Sequence, residues 1–189
     1  MQHYRRAIAI NPRLAAAHNN LGSALGSQGR LAEAVRQFRE ALRVQPDYDE
    51  AHNNLGLALR MLGDRNQALR HFRAALAHRA DWAAPMSEIA WIIATHTDPK
   101  LRDPAEAVRL AERAAELTSH QDPVVLDALA AAYAAAADWD RATAVAEAAV
   151  ALASARSPAL AEDVSKRLAL YRRKQPYREA AGVRAETAR

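Results

Sequence analysis

The feature that most constrains the fold of this chain is a repeat with a period of about 34 residues. The hexapeptide Ala-His-Asn-Asn-Leu-Gly at 17–22 returns at 51–56, and Gly29 returns as Gly63. Ala and Phe side chains recur at the same offset in the second half of each unit. Such a period is typical of a supersecondary unit that buries its apolar face only against neighbouring copies. The sequence therefore predicts a stacked repeat array.

The pattern of apolar residues within each repeat predicts two helices. Apolar residues recur at helical spacing over 15–28 and 31–44, with Gly29 between the two segments and Pro46 after the second. The abundant Ala suits closely packed helices, and Gly22 within a first helix indicates a point where another helix comes close. No strand is predicted. The predicted fold class is therefore all-α.

Polar residues at the predicted helix starts support this division. Asp103, Asp122 and Ser157 each precede a proline, which is typical of an N-cap followed by the first helical residue. Asp47 and Glu50 resemble a capping box. Helices are therefore expected to begin directly after these capping residues.

The repeated residues resemble the tetratricopeptide repeat family. That family places Leu-Gly in the first helix, and Ala, an aromatic residue and Ala in the second helix before a Pro; Leu21, Gly22 and Phe38 match this pattern. The chain departs from it by carrying His18 and His52 in the first aromatic position. The hexapeptide is similar to those of bacterial members. The resemblance implies a right-handed superhelical solenoid of antiparallel helix pairs, whose first helices line a concave groove.

The register of the pattern predicts how the chain is organised. The repeat pattern begins with half a unit, because residues 1–14 match only a second helix. This helix should expose apolar surface near Tyr4 and Ile8. Such an edge indicates either a fragment of a longer protein or a docking surface. The predicted units are 15–48, 49–82, 83–122 with a five-residue insertion, and 123–156, followed by a capping helix at 157–174 and a flexible tail at 175–189.

The candidate binding residues lie on the predicted concave face. Repeated Asn side chains offer donors and acceptors that can pair with the backbone of an extended peptide. Asn20 and Asn54 directly precede the Leu-Gly pairs, where the repeat arrays of O-linked N-acetylglucosamine transferases carry an asparagine ladder. The alternative is that these amides cap a helix or bridge within the repeat. The full candidate set is Asn19, Asn20, Asn53, Asn54, Ser23, Leu57, Arg60, Met61 and Glu88.

The sequence predicts neither a catalytic site nor a metal site. The chain has no Cys, which excludes disulfides and thiolate zinc sites, and its His residues do not form the His-Glu-x-x-His pattern of zinc proteases. Asp138 and Asp140 resemble the paired aspartates of metal-dependent glycosyltransferases, but they fall in a turn where an acidic residue commonly starts a helix. The protein is therefore not expected to be an enzyme, and no cofactor is predicted.

The charge distribution disfavours nucleic acid as a partner. The net charge of +4 at pH 7 is concentrated at the two ends of the chain, whereas nucleic-acid binders more often show a continuous basic stripe. No apolar stretch reaches the ~18 residues that span a membrane, and no signal peptide is seen, so no membrane insertion and a cytoplasmic location are expected. The basic residues near the C-terminus are interpreted as a solvated face: Lys166, Arg167, Arg172, Arg173 and Lys174.

Three functional hypotheses remain open. The favoured one is a non-catalytic protein–protein interaction scaffold that binds a peptide or a partner protein of unknown identity in the concave groove. The second is an accessory or regulatory repeat domain of a larger bacterial multidomain enzyme. The third is self-assembly, with a homodimer formed through the exposed N-terminal helix.

Overall fold

A computed structural model describes residues 1–179 of the chain. These residues form ten α-helices and one short 3-10 helix, and no strand occurs among them. The all-α prediction is therefore confirmed. The fold divides into two compact units, one within residues 1–80 and a second that begins at Asp81.

The first unit contains five helices joined by short turns. Gly29 and Gly63 have φ angles of 73° and 86°, a left-handed conformation that residues with a Cβ disfavour, and each lies between the two helices of a repeat. The helices are α1 (Gln2–Ile10), α2 (Ala15–Gly26), α3 (Leu31–Val44), α4 (Asp49–Met61) and α5 (Arg65–Ala75).

Two glycines in the first helices lie directly against aromatic rings of the second helices. A Cβ on Gly22 would lie 2.6 Å from Cε1 of Phe38, and a Cβ on Gly56 would lie 2.7 Å from Cε1 of Phe72. Both rings are buried in a close-packed interior, so neither can move aside freely. The close helix approach expected at Gly22 is confirmed, and the same contact recurs one repeat later.

His18 and His52, in the aromatic position of the family pattern, fasten each first helix to the turn before it. Nε2 of His52 lies 2.9 Å from the carbonyl oxygen of Pro46, and Nε2 of His18 lies 3.1 Å from that of Pro12. A carbonyl oxygen only accepts, so Nε2 donates in both cases. Nδ1 of His52 therefore accepts from Nδ1–H of His71, at 3.0 Å.

The stability of the first unit is expected to fall as the pH drops from 6.5 towards 4. Burial, reinforced by the nearby charge of His52, lowers the pKa of His71 from 6.5 to about 4. In this window the unfolded chain binds a proton that the folded chain excludes, so stability present above pH 6.5 is lost progressively. Because His71 is half-exposed and screened by solvent, we expect this contribution to be only ~1 kcal/mol.

Urea unfolding of wild type and His71→Gln at about pH 7 and pH 4.5 measures this contribution. The variant should lose about 1 kcal/mol less than wild type between the two pH values. His3→Gln, at an exposed site on α1, is the matched control and should follow wild type. An identical pH dependence for wild type and His71→Gln would show that His71 does not cause the effect.

Helix α1 is the least buried helix of the first unit. None of its residues is buried, and Ile10 is 80 % exposed. It packs on α2, and both Tyr4 and Ile8 remain partly exposed. The exposed apolar surface expected near these residues is therefore present.

The second unit contains five further α-helices, and most of them have an N-cap residue whose side chain accepts a backbone hydrogen bond. Asp103 accepts a hydrogen bond from the Glu106 N–H at 2.9 Å, and Asp122 accepts one from the Val124 N–H at 2.9 Å, so both predicted N-caps are confirmed. Ser157 occupies the N-cap position but makes no side-chain cap bond. The helices are α6 (Ala83–Thr95), α7 (Pro104–Leu117), α8 (Pro123–Ala135), α9 (Trp139–Ser154) and α10 (Pro158–Arg172), with a 3-10 turn (Pro99–Leu101) in the predicted insertion.

The predicted capping box at Asp47 and Glu50 is wrong. Helix α4 begins at Asp49, its N-cap is Tyr48, and no side chain caps it. Asp47 therefore lies one residue too early to reach the first free N–H groups of the helix.

A buried ion pair joins two helices of the second unit. The Arg167 guanidinium on α10 donates two hydrogen bonds to Asp127 on α8, at 2.8 and 2.7 Å. The side chains are only 7 % and 3 % exposed. Arg167 is therefore not part of a solvated face, which corrects the interpretation from sequence. Its burial requires the bidentate partner, because an unpaired buried charge is strongly unfavourable.

Residues 177–179 of the predicted flexible tail are packed against α6. Tyr177 lies on the ring of Trp91, with centroids 5.7 Å apart. Glu179 is 2 % exposed and accepts a hydrogen bond from Nε1–H of Trp91 at 2.9 Å. The tail prediction is therefore wrong for residues 177–179, and residues 180–189 lie outside the described residues. The polar composition of this segment suggested that it frays, but polar atoms of Arg178 and Glu179 form hydrogen bonds with α6.

Candidate binding site on the first helices

A groove of about 220 Å³ opens on the first unit between α2, α3 and α4. Four of the residues predicted to bind a partner line it: Ser23, Asn54, Leu57 and Met61. The other lining residues are mostly apolar: Gly26, Leu31, Phe38 and Ala58. The groove therefore offers an apolar floor with one amide and one hydroxyl at its edge.

The Asn54 amide is positioned by hydrogen bonds to the preceding first helix. Its Nδ2 donates to Oδ1 of Asn19 at 3.0 Å and lies 3.4 Å from Oγ of Ser23. The Ser23 hydroxyl in turn donates to the Asn19 carbonyl oxygen at 3.1 Å. These bonds connect α2 to α4 and orient the amide. Among residues 1–179, Oδ1 of Asn54 accepts no hydrogen bond, so this oxygen is available to a ligand.

The two asparagines of the predicted ladder differ in environment. Asn54 is half-buried and bonded to α2, whereas Asn20 is exposed. The bond of Asn54 runs to a first helix one repeat earlier. Asn20 has only the second helix α1 before it in the described part of the chain, so it lacks an equivalent partner. The Nδ2 atom of Asn54 therefore bridges two successive repeats and not a single one, while Asn20 faces solvent.

The other asparagines lie inside the helix packing. Asn19 and Asn53 are 6 % and 7 % exposed. Oδ1 of Asn53 is buried and accepts no hydrogen bond within residues 1–179. Neither residue lines the groove, and their buried amides are not presented to an external ligand.

The two charged candidates do not line the groove. Arg60 is partly buried near the end of α4, whereas Glu88 lies on α6 in the second unit.

Sequence reasoning missed Trp91, which stands one repeat period after Leu57 and therefore at the same position of the next first helix. Comparing each candidate with its counterpart one period later would have found it.

The acidic turn of the second unit has a structural role. Asp138 is the N-cap of α9, where it accepts from the Arg141 N–H at 3.2 Å and from Arg141 Nε at 2.6 Å. The side-chain bond from Arg141 lowers the pKa of Asp138. Asp138 therefore starts α9 as predicted, and Asp140 lies in the first turn of that helix.

Three of the five C-terminal cations pair with carboxylates. Arg167 binds Asp127, as described above. Lys166 lies 2.7 Å from Glu162, and Arg172 lies 2.8 Å from Glu147. These ion pairs reduce the positive field that a phosphate backbone would meet on α10.

No helix within residues 1–179 combines the length and the apolar character needed to cross a bilayer.

Two known protein families match the N-terminal part of the chain. The family described as TPR repeat matches residues 1–29 and 22–63, and the family described as tetratricopeptide repeat matches residues 49–82. No curated protein matches the sequence.

Solved structures share the fold across most of the chain at low sequence identity. The crystal structure of TTC0263, a thermophilic TPR protein in Thermus thermophilus, has a TM-score of 0.68 at 20 % identity and covers 85 % of this chain and 84 % of its own. YrrB, a TPR protein with an unusual peptide-binding site, has a TM-score of 0.67 at 20 % identity, with coverages of 90 % and 86 %. The MamA protein has a TM-score of 0.65 at 14 % identity, with coverages of 84 % and 83 %. Residues 1–82 therefore belong to the tetratricopeptide repeat family, and the same helix-pair fold continues beyond them.

Proposed function

We propose that the protein is a non-catalytic interaction scaffold that binds an extended segment of a partner protein in the groove between α2, α3 and α4. The observation that carries this proposal is the combination of an apolar floor with an oriented polar edge. Leu57 and Met61 supply apolar surface, and Asn54 supplies an acceptor oxygen. A main-chain N–H of an extended segment is a suitable donor for that oxygen.

The dimensions of the groove favour peptide side chains over a small-molecule cofactor. Its volume of about 220 Å³ lies below the roughly 300–1,000 Å³ of typical small-molecule sites. It contains no charged lining residue, so it is not built to hold a phosphate or a metal. Met61 adds a flexible, polarisable surface that adapts to apolar side chains of different shape.

The similar fold of YrrB supports the proposal, since that protein is described as having a peptide-binding site. At 20 % identity the similarity does not transfer the site itself. The residues that bind in this chain are therefore proposed from its own groove: Asn54, Ser23, Leu57 and Met61 as contacts, with Asn19 orienting Asn54.

Selection of displayed random peptides on the immobilised chain tests the proposal. Peptides enriched over an unrelated helical protein should bind wild type, and Leu57→Ala should weaken them at least tenfold, or about 1.4 kcal/mol. The matched control is Leu62→Ala, because Leu62 is an exposed leucine at the end of the same helix, outside the groove. Its effect should stay within twofold. Failure to enrich any peptide, or equal binding to wild type and Leu57→Ala, would reject the groove as the site.

A second candidate function is self-association through α1. The observation that favours it is that this helix buries none of its residues and exposes Ile10 by 80 %. Sedimentation of wild type and Ile10→Glu at high micromolar concentration tests it. A dimer in wild type that dissociates in the variant supports the hypothesis, and a monomer in wild type rejects it.

A further inference from the structure

The segment 175–179 lies on the face of the second unit that corresponds to the groove of the first. Trp91 and Thr95 on α6 stand one repeat period after Leu57 and Met61, two residues that line the first groove. In the second unit these positions contact the chain's own C-terminal segment. The same helix face that is open in one unit is therefore occupied by a peptide segment in the other.

We propose that Tyr177-Arg178-Glu179 is a tethered ligand, and that the face of α6 and α8 recognises protein segments with an aromatic residue followed two positions later by a carboxylate. The segment would exclude such partners until they displace it. This face is distinct from the groove of the first unit, and the inference does not depend on the function proposed for that groove.

Both side chains of this motif meet a matching group. The Tyr177 ring packs on Trp91 in a cluster that also contains Ala128 and Ala131 of α8. The carboxylate of Glu179 accepts the Nε1–H of Trp91 at 2.9 Å. The two positions can contact one indole because they are separated by a single residue. A segment that lacks the acceptor would leave the buried N–H of Trp91 without this bond, which is unfavourable.

The main chain of α6 supplies the remaining contacts. The last carbonyl groups of a helix lack partners within the helix. The backbone N–H of Glu179 donates to the Thr95 carbonyl oxygen at 3.0 Å, and Nη1 of Arg178 donates to the Ala94 carbonyl oxygen at 3.1 Å. The first bond joins main-chain groups on both sides, so any foreign segment can make it; the second requires a donor side chain at the middle position of the segment.

Helices α6, α8 and α10 supply the side chains of the receptor face. Arg167, anchored by its two bonds to Asp127, lies with its guanidinium 5.2 Å from the Trp91 ring and 5.5 Å from the Tyr177 ring. A cation at this distance attracts an incoming aromatic ring. The segment itself is joined to α10 through the exposed Lys174 and Gln175, which allows it to leave without unwinding the helix.

A labelled peptide with the sequence of residues 174–180 and blocked termini tests the proposal in trans. A tethered segment competes at an effective concentration in the millimolar range, so wild type should bind the peptide weakly. The full chain with Tyr177→Ala and Glu179→Gln should release its own segment and bind the peptide at least tenfold more tightly by fluorescence anisotropy. Gln175→Ala, at an exposed position of the same segment, is the matched control and should bind like wild type.

Two control peptides define the motif. Replacing the tyrosine or the glutamate by alanine should each weaken binding to the released variant at least tenfold. Circular dichroism and thermal unfolding establish whether that variant keeps its fold. A folded variant that binds the peptide no better than wild type overturns the proposal. A variant that loses cooperative unfolding also overturns it, because the segment would then be part of the core and not an exchangeable ligand.

Discussion

Asp127→Ala is expected to lower the free energy of unfolding of the second unit by about 3–5 kcal/mol, the usual loss when one partner of a buried ion pair is removed. Arg167 is 7 % exposed and directs two hydrogen bonds at the Asp127 carboxylate, at 2.8 and 2.7 Å. Without that carboxylate the guanidinium remains buried with its charge uncompensated. Urea unfolding followed by circular dichroism measures the loss.

Two comparisons separate this effect from ordinary loss of a surface contact. Glu162→Gln removes the carboxylate partner of Lys166 on the exposed side of α10 and should leave stability unchanged within error. Asp127→Leu combined with Arg167→Met removes both charges, and should recover most of the stability that Asp127→Ala loses. A loss below about 1 kcal/mol in Asp127→Ala would contradict the assignment of a desolvated pair.

Gly56→Ala is expected to destabilise the first unit by up to about 2 kcal/mol, although alanine is the better helix former. Helix propensity alone favours alanine by roughly 1 kcal/mol. The added methyl, however, would lie 2.7 Å from Cε1 and 2.8 Å from Cδ1 of Phe72. That ring is fully buried, so relief requires a shift of the helix pair, and overpacking of this kind costs about 1–3 kcal/mol or more. Thermal and urea unfolding measure the balance.

Gly26→Ala is the matched control, since a Cβ at Gly26 would lie 3.9 Å from the Cβ of Ala34, an ordinary contact. This variant should be neutral or more stable than wild type. Gly22→Ala should repeat the loss seen at Gly56, because its methyl would meet Phe38 in the same way. Adding Phe72→Leu to Gly56→Ala should restore part of the stability by making room. If Gly56→Ala is more stable than wild type, the ring is free to move.

Much of the helix pairing follows from the repeat pattern. The close approach of another helix at Gly22 was predicted from the sequence, whereas the contact of Gly22 with Phe38 of the same repeat was found only in the structure. The caps at Asp103 and Asp122 were also predictable, since a cap bond joins residues only two or three positions apart. Contacts of this kind depend on local sequence, which is visible without a fold.

The buried ion pair was not predicted, although a signal for it existed. Arg167 stands three residues after Val164 and four before Tyr171, on the apolar face of its helix. Asp127 is the single acidic residue within the otherwise apolar α8. Each residue alone indicated a polar group in a core position. The two residues are far apart along the chain, and only the packing of α10 on the other helices brings the two charges together.

The candidate groove shows the same contrast between features that follow from local sequence and features that depend on tertiary packing. The sequence by itself determined the fold class, the helix pairs and the positions that share the first-helix face. The period of about 34 residues and the helical spacing of apolar residues can both be seen along the chain without knowledge of the fold. Only the tertiary structure decided that Asn54 is oriented while Asn20 is exposed, and that Tyr177 and Glu179 contact Trp91. These outcomes depend on which helix or segment lies beside each side chain, and that is set by packing between distant parts of the chain.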